Sequence, residues 1–467
     1  MCQRICFWTF GLGEKGRKLL PWSGAIVSLL SVVSTAYSVF YPLLQQQFGM
    51  DTVAPFAIGS SIVGGLGMTL GPLLGGPLLD KFGPKINFLM NTCWYFLAML
   101  CMFQIENNTV WEGGGQIWWI LGSCCIGMGA GTSSGTISAS VAKWNPDNLG
   151  FYVAIDNLGP ALAPVWVAPF AAAVIPQVGI GKGFMILMIL GMIGYFVFGF
   201  LPFSTPPAGW TPPGWKERLA EQKEAQKSGE AKIRLAELGN LFPLTFGEIL
   251  KTYKFWIMFL CVFLACFVYM GTTMNLSTIM KEAAAQDASF ADIMKLVATA
   301  ISLGAIANAI GRLVWGKVID KLDSAWGALR FNYIGVTIAL CLFAAVFRFS
   351  AVGAIIAVIL LYFCGGGSAP MHMSTAPYMF GTKNAGKCIT GTLMATGCAW
   401  FLAPYIAAFA RDVIGTYYPV LWALAGIQVL CIIIACVMHS KITKEKNEII
   451  AKIQSGELEI PDEIEVA

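Results

Sequence analysis

Twelve runs of apolar residues, most close to the roughly 17–25 residues that cross a bilayer as helix, recur along the chain and leave it little choice of fold. They lie near 22–46, 53–76, 86–105, 117–142, 150–175, 183–203, 255–280, 292–315, 331–349, 352–379, 388–410 and 417–437. In hydrocarbon each backbone N–H and C=O must find its partner inside the segment, so such runs fold as a helix bundle. Composition agrees: 57% of the 467 residues are hydrophobic and 12% charged. A soluble domain holds about 25% charged residues. These values exclude a secreted scaffold, a nucleic-acid-binding domain and a cytosolic enzyme. The expectation is an all-α membrane protein of twelve transmembrane helices, with the lipid bilayer as a partner and no nucleic acid.

Fourteen cysteines are scattered through the runs, among them Cys93, Cys101, Cys124, Cys125, Cys266, Cys364, Cys398 and Cys436. The vicinal pair lacks the Cys-x-x-Cys spacing of a zinc ligand set, and helical cysteine reads as a small hydrophobe. With two histidines in the chain, no metal site is expected, and no cofactor. A phosphate-cradling G-x-x-x-x-G-K-[ST] loop is absent, which excludes ATP-driven transport by this chain alone.

Orientation follows from the Lys/Arg bias of the loops. With both termini cytoplasmic, inside segments hold 24 of the 30 basic residues; five (Lys182, Lys281, Lys295, Arg348, Arg411) fall outside and Arg312 falls within a span. The segment 1–21 carries Arg4, Lys15, Arg17 and Lys18 without a small-residue cleavage site, so no removable signal is expected. The expected localisation is the cell (plasma or inner) membrane. A hydrophilic segment separates six spans from six, dividing the chain into 1–203, a cytoplasmic linker 204–254, 255–437 and a cytoplasmic tail 438–467. The linker opens proline-rich, from Thr205 to Trp215, and continues as a charged run expected to form a surface helix over 216–238. The charged tail after His439 is expected to fray.

A shift of 240 residues superimposes two loops. Gly71-Pro72-Leu73-Leu74-Gly75-Gly76-Pro77-Leu78-Leu79-Asp80-Lys81 lies over Gly311-Arg312-Leu313-Val314-Trp315-Gly316-Lys317-Val318-Ile319-Asp320-Lys321, with five of eleven positions identical. The copies end spans two and eight, equivalent places in two six-helix halves, as in transporters built from parallel repeats. Glycine lets helices approach closely, and an aspartate can meet the positive N-terminal end of a neighbouring helix.

Gly76-x-x-x-Asp80-Lys81-x-Gly83-Pro84-Lys85 resembles the cytoplasmic signature loop of the major facilitator superfamily, with Gly316, Asp320 and Lys321 as a weaker second copy. The resemblance implies that helix two lies by eleven and helix eight by five. Both aspartates would then latch the halves on the cytoplasmic face of an outward-open state. Further motifs resemble the oxalate/formate antiporter family and the related monocarboxylate transporters. They are the Pro206–Trp215 linker, Lys143-Trp144-Asn145-Pro146-Asp147, Phe380-Gly381-Thr382-Lys383-Asn384, and Ser38-Val39-Phe40-Tyr41-Pro42-Leu43-Leu44. Gly311-Arg312-x-x-Trp315-Gly316 stands at the position of that family's substrate-facing arginine.

Three polar residues sit in otherwise apolar spans: Asp156, Arg312 and His372. A mid-membrane charge costs about 2.5–3.5 kcal/mol on insertion scales, so such residues face cavities and serve a function. Arg312 can grip a carboxylate through two parallel hydrogen bonds; its alternative is a residue snorkelling to the interface. Asp156, where the family carries a small apolar residue, could pair with Arg312 or take up a proton. His372 is either a titrating group or a hydrogen-bonded structural one. The family's dicarboxylate transporter places a lysine where this chain has Thr396, and cavity aromatics where it has Thr35 and Ser134; Tyr37 remains as a cavity aromatic. These departures argue against a compact dianion and for a larger or monoanionic acid.

The reading is therefore a secondary transporter, not an enzyme, that moves a small organic anion by alternating access and works as a monomer. Protons or a counter-anion are the coupling partners, by symport or exchange. The alternatives are a sensor that has kept the transporter fold without cycling and a transporter of a non-anionic solute.

Overall fold

The computed structural model describes residues 14–31, 33, 37, 40–50, 54–207, 210–212, 214–227, 235–241, 244–284, 293–346 and 349–460. Among these residues every regular element is helical. Twelve helical columns follow one another: α1 (Glu14–Ser31), α2 (54–82), α3 (Pro84–Glu106), α4 (Gln116–Trp144), α5 (149–173), α6 (Ile180–Phe200), α7 (Tyr253–Thr273), α8 (Ile293–Leu322), α9 (Ala325–Val346), α10 (Ala351–Phe380), α11 (Ala385–Ile414) and α12 (Tyr418–Gln454). Among the described residues nine are long and apolar enough to cross a membrane: α2, α3, α5, α6, α7, α9, α10, α11 and α12. The other three complete the two sets of six. Of these, α4 is rich in glycine, serine and threonine, and from Ile126 to Trp144 all its residues but Ser134 are buried.

The two halves meet where α2 packs on α11 and α5 on α8. These pairs close the end of the bundle that carries the 204–252 linker, called here the linker face. Within the N-terminal half, rings of Tyr37, Trp119, Phe40 and Phe184 interlock at centroid distances of 4.6–6.0 Å. Aromatic pairs offset or tilted in this way add packing energy to the area they bury.

Two elements differ from expectation. The first apolar run divides: α1 begins inside the basic stretch, where Arg17 is buried and bonded to Asp147, and a separate helix follows at Tyr41–Phe48. The charged tail does not fray at 438–454, because α12 runs on as helix to Gln454. Strong helix formers fill this extension, and it is tied down by Lys446–Asp323 at 3.1 Å and by the Lys254–Glu445 pair. Ile453 joins Trp215, Leu238, Leu241 and Ile460 in a small apolar cluster beneath the bundle. Of the expected linker helix, Trp215–Lys227 and Leu235–Leu241 are helical, and 228–234 lies outside the described residues.

Candidate functional site

The centre of the bundle is organised around a break in α5. Helix Leu149–Asp156 stops, Asn157 makes a turn, and the helix resumes at Leu158. Pro160 has no N–H to offer the carbonyl of Asp156, which loosens the ladder at this turn. The freed turn faces Arg312 of α8. Arg312 Nη1 donates to the Asn157 carbonyl oxygen at 2.6 Å, and Nε donates to Asn308 Oδ1 at 3.0 Å. Asn308 Nδ2 in turn donates to the Tyr269 hydroxyl of α7 at 2.9 Å. No partner for Arg312 Nη2 occurs among the described residues.

Asp156 is 2% exposed. Its Oδ1 accepts from Ser138 Oγ of α4 at 3.3 Å and from Asn157 Nδ2, while Oδ2 is buried with no donor among the described residues. Met373 of α10 closes the group, its sulfur 3.2 Å from Ser138 Oγ and 3.6 Å from Asn157 Nδ2. Asp156 and Arg312 thus come together around Asn157 without a direct ion pair. A buried carboxylate and a half-buried guanidinium sit in one cluster drawn from both halves, each held by neutral hydrogen-bonding neighbours.

The other residues singled out from the sequence are dispersed. Tyr37 is 2% exposed, its hydroxyl 2.8 Å from Ser123 Oγ, inside the aromatic core of its own half. Thr35 lies outside the described residues. Ser134 Oγ returns to the Ala130 carbonyl at 2.9 Å. Thr396 Oγ1 donates to the Thr392 carbonyl at 3.0 Å and lies 3.6 Å from Cys266 Sγ. His372 is buried, with Nε2 2.8 Å from the Tyr333 hydroxyl and Nδ1 3.8 Å from Cys266 Sγ. His372, Tyr333, Cys266 and Thr396 form a polar chain of their own in the C-terminal half.

On the linker face both repeated aspartates sit at helix starts. Asp320 accepts from the backbone N–H groups of Gly150 and Phe151, each at 2.8 Å, and from the Tyr378 hydroxyl at 2.7 Å. Asp80 accepts from the Lys387 backbone N–H and from Lys143 Nζ, each at 3.1 Å. An anion at a helix N-terminus meets unsatisfied N–H groups and the positive end of the dipole. Gly316 lies against the Gly150 carbonyl, and a Cβ on Gly150 would come within 2.7 Å of the Gly316 oxygen, so α5 and α8 touch backbone to backbone. In the other pair Gly76 abuts Gly386 and Thr390. Gly83, at φ 81°, ends α2 before Pro84 starts α3. Lys81 and Lys85 lie over the Phe82 and Phe200 rings at 5.1 and 5.4 Å, and Lys321 is exposed.

Sequence reasoning missed Asn157, Ser138, Asn308, Tyr269, Lys143 and Tyr378. One signal was available: Asn308 stands four residues before Arg312, a spacing that stacks two side chains on one helix face. The others become visible only when separate helices meet.

A model of the major facilitator superfamily matches residues 22–404. The chain belongs to the major facilitator superfamily. The oxalate:formate antiporter of Oxalobacter formigenes is 21% identical over 323 residues, a match covering 67% of this chain and 66% of that protein's length. Among solved structures, the transporter FucP in its outward conformation superimposes with a TM-score of 0.65 at 13% identity, covering 90% of this chain and 98% of the other. The human organic anion transporter MFSD10 (TETRAN) gives 0.63 at 14% identity, covering 91% and 99%. At these identities the structural likeness concerns the fold. The chain is a multi-pass membrane protein of a transporter family.

Proposed function

We propose that this chain is a secondary transporter that moves an organic anion across the cell membrane by alternating access, with Arg312 gripping the substrate's carboxylate. One observation carries the reading. A half-buried guanidinium stands between the two halves, tethered to a backbone carbonyl of the opposite half, with its Nη2 edge unengaged among the described residues. A carboxylate is a stronger acceptor for that fork than a neutral carbonyl, because charge-assisted hydrogen bonds are roughly twice as strong as neutral ones. Substrate would therefore compete with Asn157 for Arg312 and release one bond between α5 and α8. The name of the oxalate:formate antiporter supports an anionic substrate. A single arginine, with Thr396 at the position of that family's lysine, favours a monoanion or a larger acid over a compact dianion.

The repeated loops would act as the conformational latch: Asp80 and Asp320, seated by Gly76 and Gly316, hold the linker face closed while the other face is open. The Lys/Arg bias puts the linker face and both termini in the cytoplasm. Exchange of one organic anion for another is the coupling supported by the antiporter relative. A specific feature favours proton symport instead. Asp156 Oδ2 has no donor among the described residues, so a proton arriving with the anion would neutralise the carboxylate beside the occupied arginine.

Thermal-shift measurements on purified protein against carboxylic acids of graded size, followed by counterflow of the labelled acid in proteoliposomes, test the reading. Ligand that binds only the folded state raises its apparent stability. Stabilisation by carboxylates together with counterflow is the expected outcome. A protein stabilised only by sugars or amines, or one that binds acids and never exchanges them, would sink the proposal.

A further inference from the structure

A guanidinium binds a carboxylate bidentately only when its plane is fixed, because the two parallel hydrogen bonds demand one orientation of the fork. Left to its own rotamers, an arginine side chain in a mobile site loses that advantage. The neighbours of Arg312 form a chain that removes this freedom. Asn308, one helical turn earlier on α8 and 7% exposed, receives Nε at 3.0 Å. An amide has one accepting and one donating end. Here the donating end meets the Tyr269 hydroxyl at 2.9 Å and the accepting end meets Arg312, which can only donate; the opposite flip would set N–H against N–H at the arginine, so Tyr269 anchors the amide in the orientation that Arg312 selects.

The seat of this chain is made by glycines of α10. A Cβ on Gly366 would come within 2.8 Å of both Cα and Cγ of Asn308, and one on Gly365 would run into the Tyr269 ring. The glycine triplet at 365–367 therefore lets α10 press against α8 and α7 where the relay runs. On its far side Tyr269 meets Tyr362 edge-on, with centroids 6.0 Å apart. Three helices of one half thus fix a single guanidinium.

We infer that Tyr269 and Asn308 are positioning residues that orient Arg312 for a carboxylate, so that the specificity for that group resides in a Tyr269–Asn308–Arg312 relay and not in the arginine alone. The inference rests on Arg312 as the carboxylate-binding residue. Asn157 holds Nη1 from the other half, and the relay keeps Nε engaged whether Nη1 is on Asn157 or on substrate.

The test uses Asn308→Leu, similar in size and without hydrogen bonds, the milder Tyr269→Phe, and the double variant. Acetate, propionate, butyrate and benzoate are titrated against purified protein, and the acid giving the largest thermal shift is carried into counterflow. Losing a hydrogen bond to a charged group predicts a KM about tenfold higher for Asn308→Leu, with maximal rate within about twofold of wild type. Tyr269→Phe, one step removed, raises KM about threefold. Because both act through one amide, the double variant is no worse than Asn308→Leu alone. A merely structural role would lower the melting temperature and leave KM untouched, and independent roles would multiply the two KM changes; either result overturns the relay. Arg312→Lys is measured alongside. If it transports with wild-type KM, both the relay and the carboxylate grip fail. If it is impaired while Asn308→Leu is not, only the relay fails.

Discussion

At the scale of single residues, the structure sets two costly charges side by side and separates them by one backbone turn. Arg312→Lys keeps the charge and loses the planar fork, so transport of the carboxylate should fall about tenfold or more while the protein stays folded. Counterflow in proteoliposomes reads this directly, and wild-type rates would place the grip elsewhere. Asp156→Asn keeps the bonds to Ser138 and Asn157 and removes the negative charge beside the guanidinium. Anion affinity should rise and the pH dependence of uptake should flatten, as measured by initial rates across a pH series. Arg312→Ala should destabilise more than the double neutral variant Arg312→Ala, Asp156→Asn, because the single change leaves one buried charge without its counterpart. Both charges were legible in the sequence, since an Asp or Arg in an apolar run stands out by its insertion cost. Asn308 was marked only by its i, i+4 spacing to Arg312, and Asn157 and Tyr269 were not legible. Neutral polar and aromatic side chains are common in membrane helices, and little local marks the few that converge. Tyr37 and Thr396, matched to cavity positions by sequence order, make their hydrogen bonds within their own halves, away from the Arg312 cluster.

At the scale of elements, the informative fact is that one helix pair, α5 with α8, carries two of the cross-half contacts. The N-terminus of α5 donates two backbone N–H groups to Asp320 of α8, and one to two turns further along its broken turn accepts from Arg312 of the same α8. Loosening at either end is therefore felt along a single helix pair. Asp320→Asn removes the charge at the helix start, an effect of about 0.3–1 kcal/mol and up to ~2 when partly buried. The closed linker face should become less populated, seen as faster hydrogen–deuterium exchange at Gly150 and Phe151 with substrate affinity little changed. Gly150→Val should act more strongly, because its Cβ must find room against Ile319 and the Gly316 oxygen. It should block closure and abolish cycling while binding persists, and a Gly150→Val protein that exchanges substrate normally would show the contact to be dispensable. The repeat was readable because glycine and aspartate recur at the same spacing 240 residues apart. Lys143 and Tyr378, which complete the two aspartate sites, come from helices that sequence spacing does not bring near them.

At the scale of the whole molecule, the linker is bound to both halves on the face that would have to open under the proposed alternating access. Toward the N-terminal half, Trp210 packs edge-on against Trp144 at the end of α4 with centroids 4.8 Å apart, and Trp144 Nε1 donates to the Ser204 carbonyl at 2.7 Å. Toward the C-terminal half, Asn240 Oδ1 accepts from the Thr382 backbone N–H at 2.8 Å and from its hydroxyl at 3.1 Å. Asn384 Nδ2 donates to the Leu244 carbonyl at 2.9 Å, two residues before Gly386 and Lys387 close on Asp80. If the linker face is cytoplasmic, an epitope at Asn107 should be reached from outside intact cells and one at Glu457 should not; labelling of the second in sealed cells would reverse the orientation. The linker itself is expected to stabilise the closed face. Asn240→Ala removes the two hydrogen bonds that Asn240 Oδ1 accepts from the Thr382 N–H and hydroxyl, a change of about 0.5–1.5 kcal/mol for each. Because Thr382 opens the loop that leads into α11, the effect should reach the Lys387 amide and, through rigid-body opening of the face, the amides of Gly150 and Phe151 as well. Exchange measured on peptides covering 149–153 and 385–389 should accelerate together in Asn240→Ala, whereas Tyr37→Phe, deep in the opposite half, should leave both unchanged. Acceleration at 385–389 alone would reduce the linker to a local brace for α11, and no change at either site would mean that the two aspartates hold the face without it.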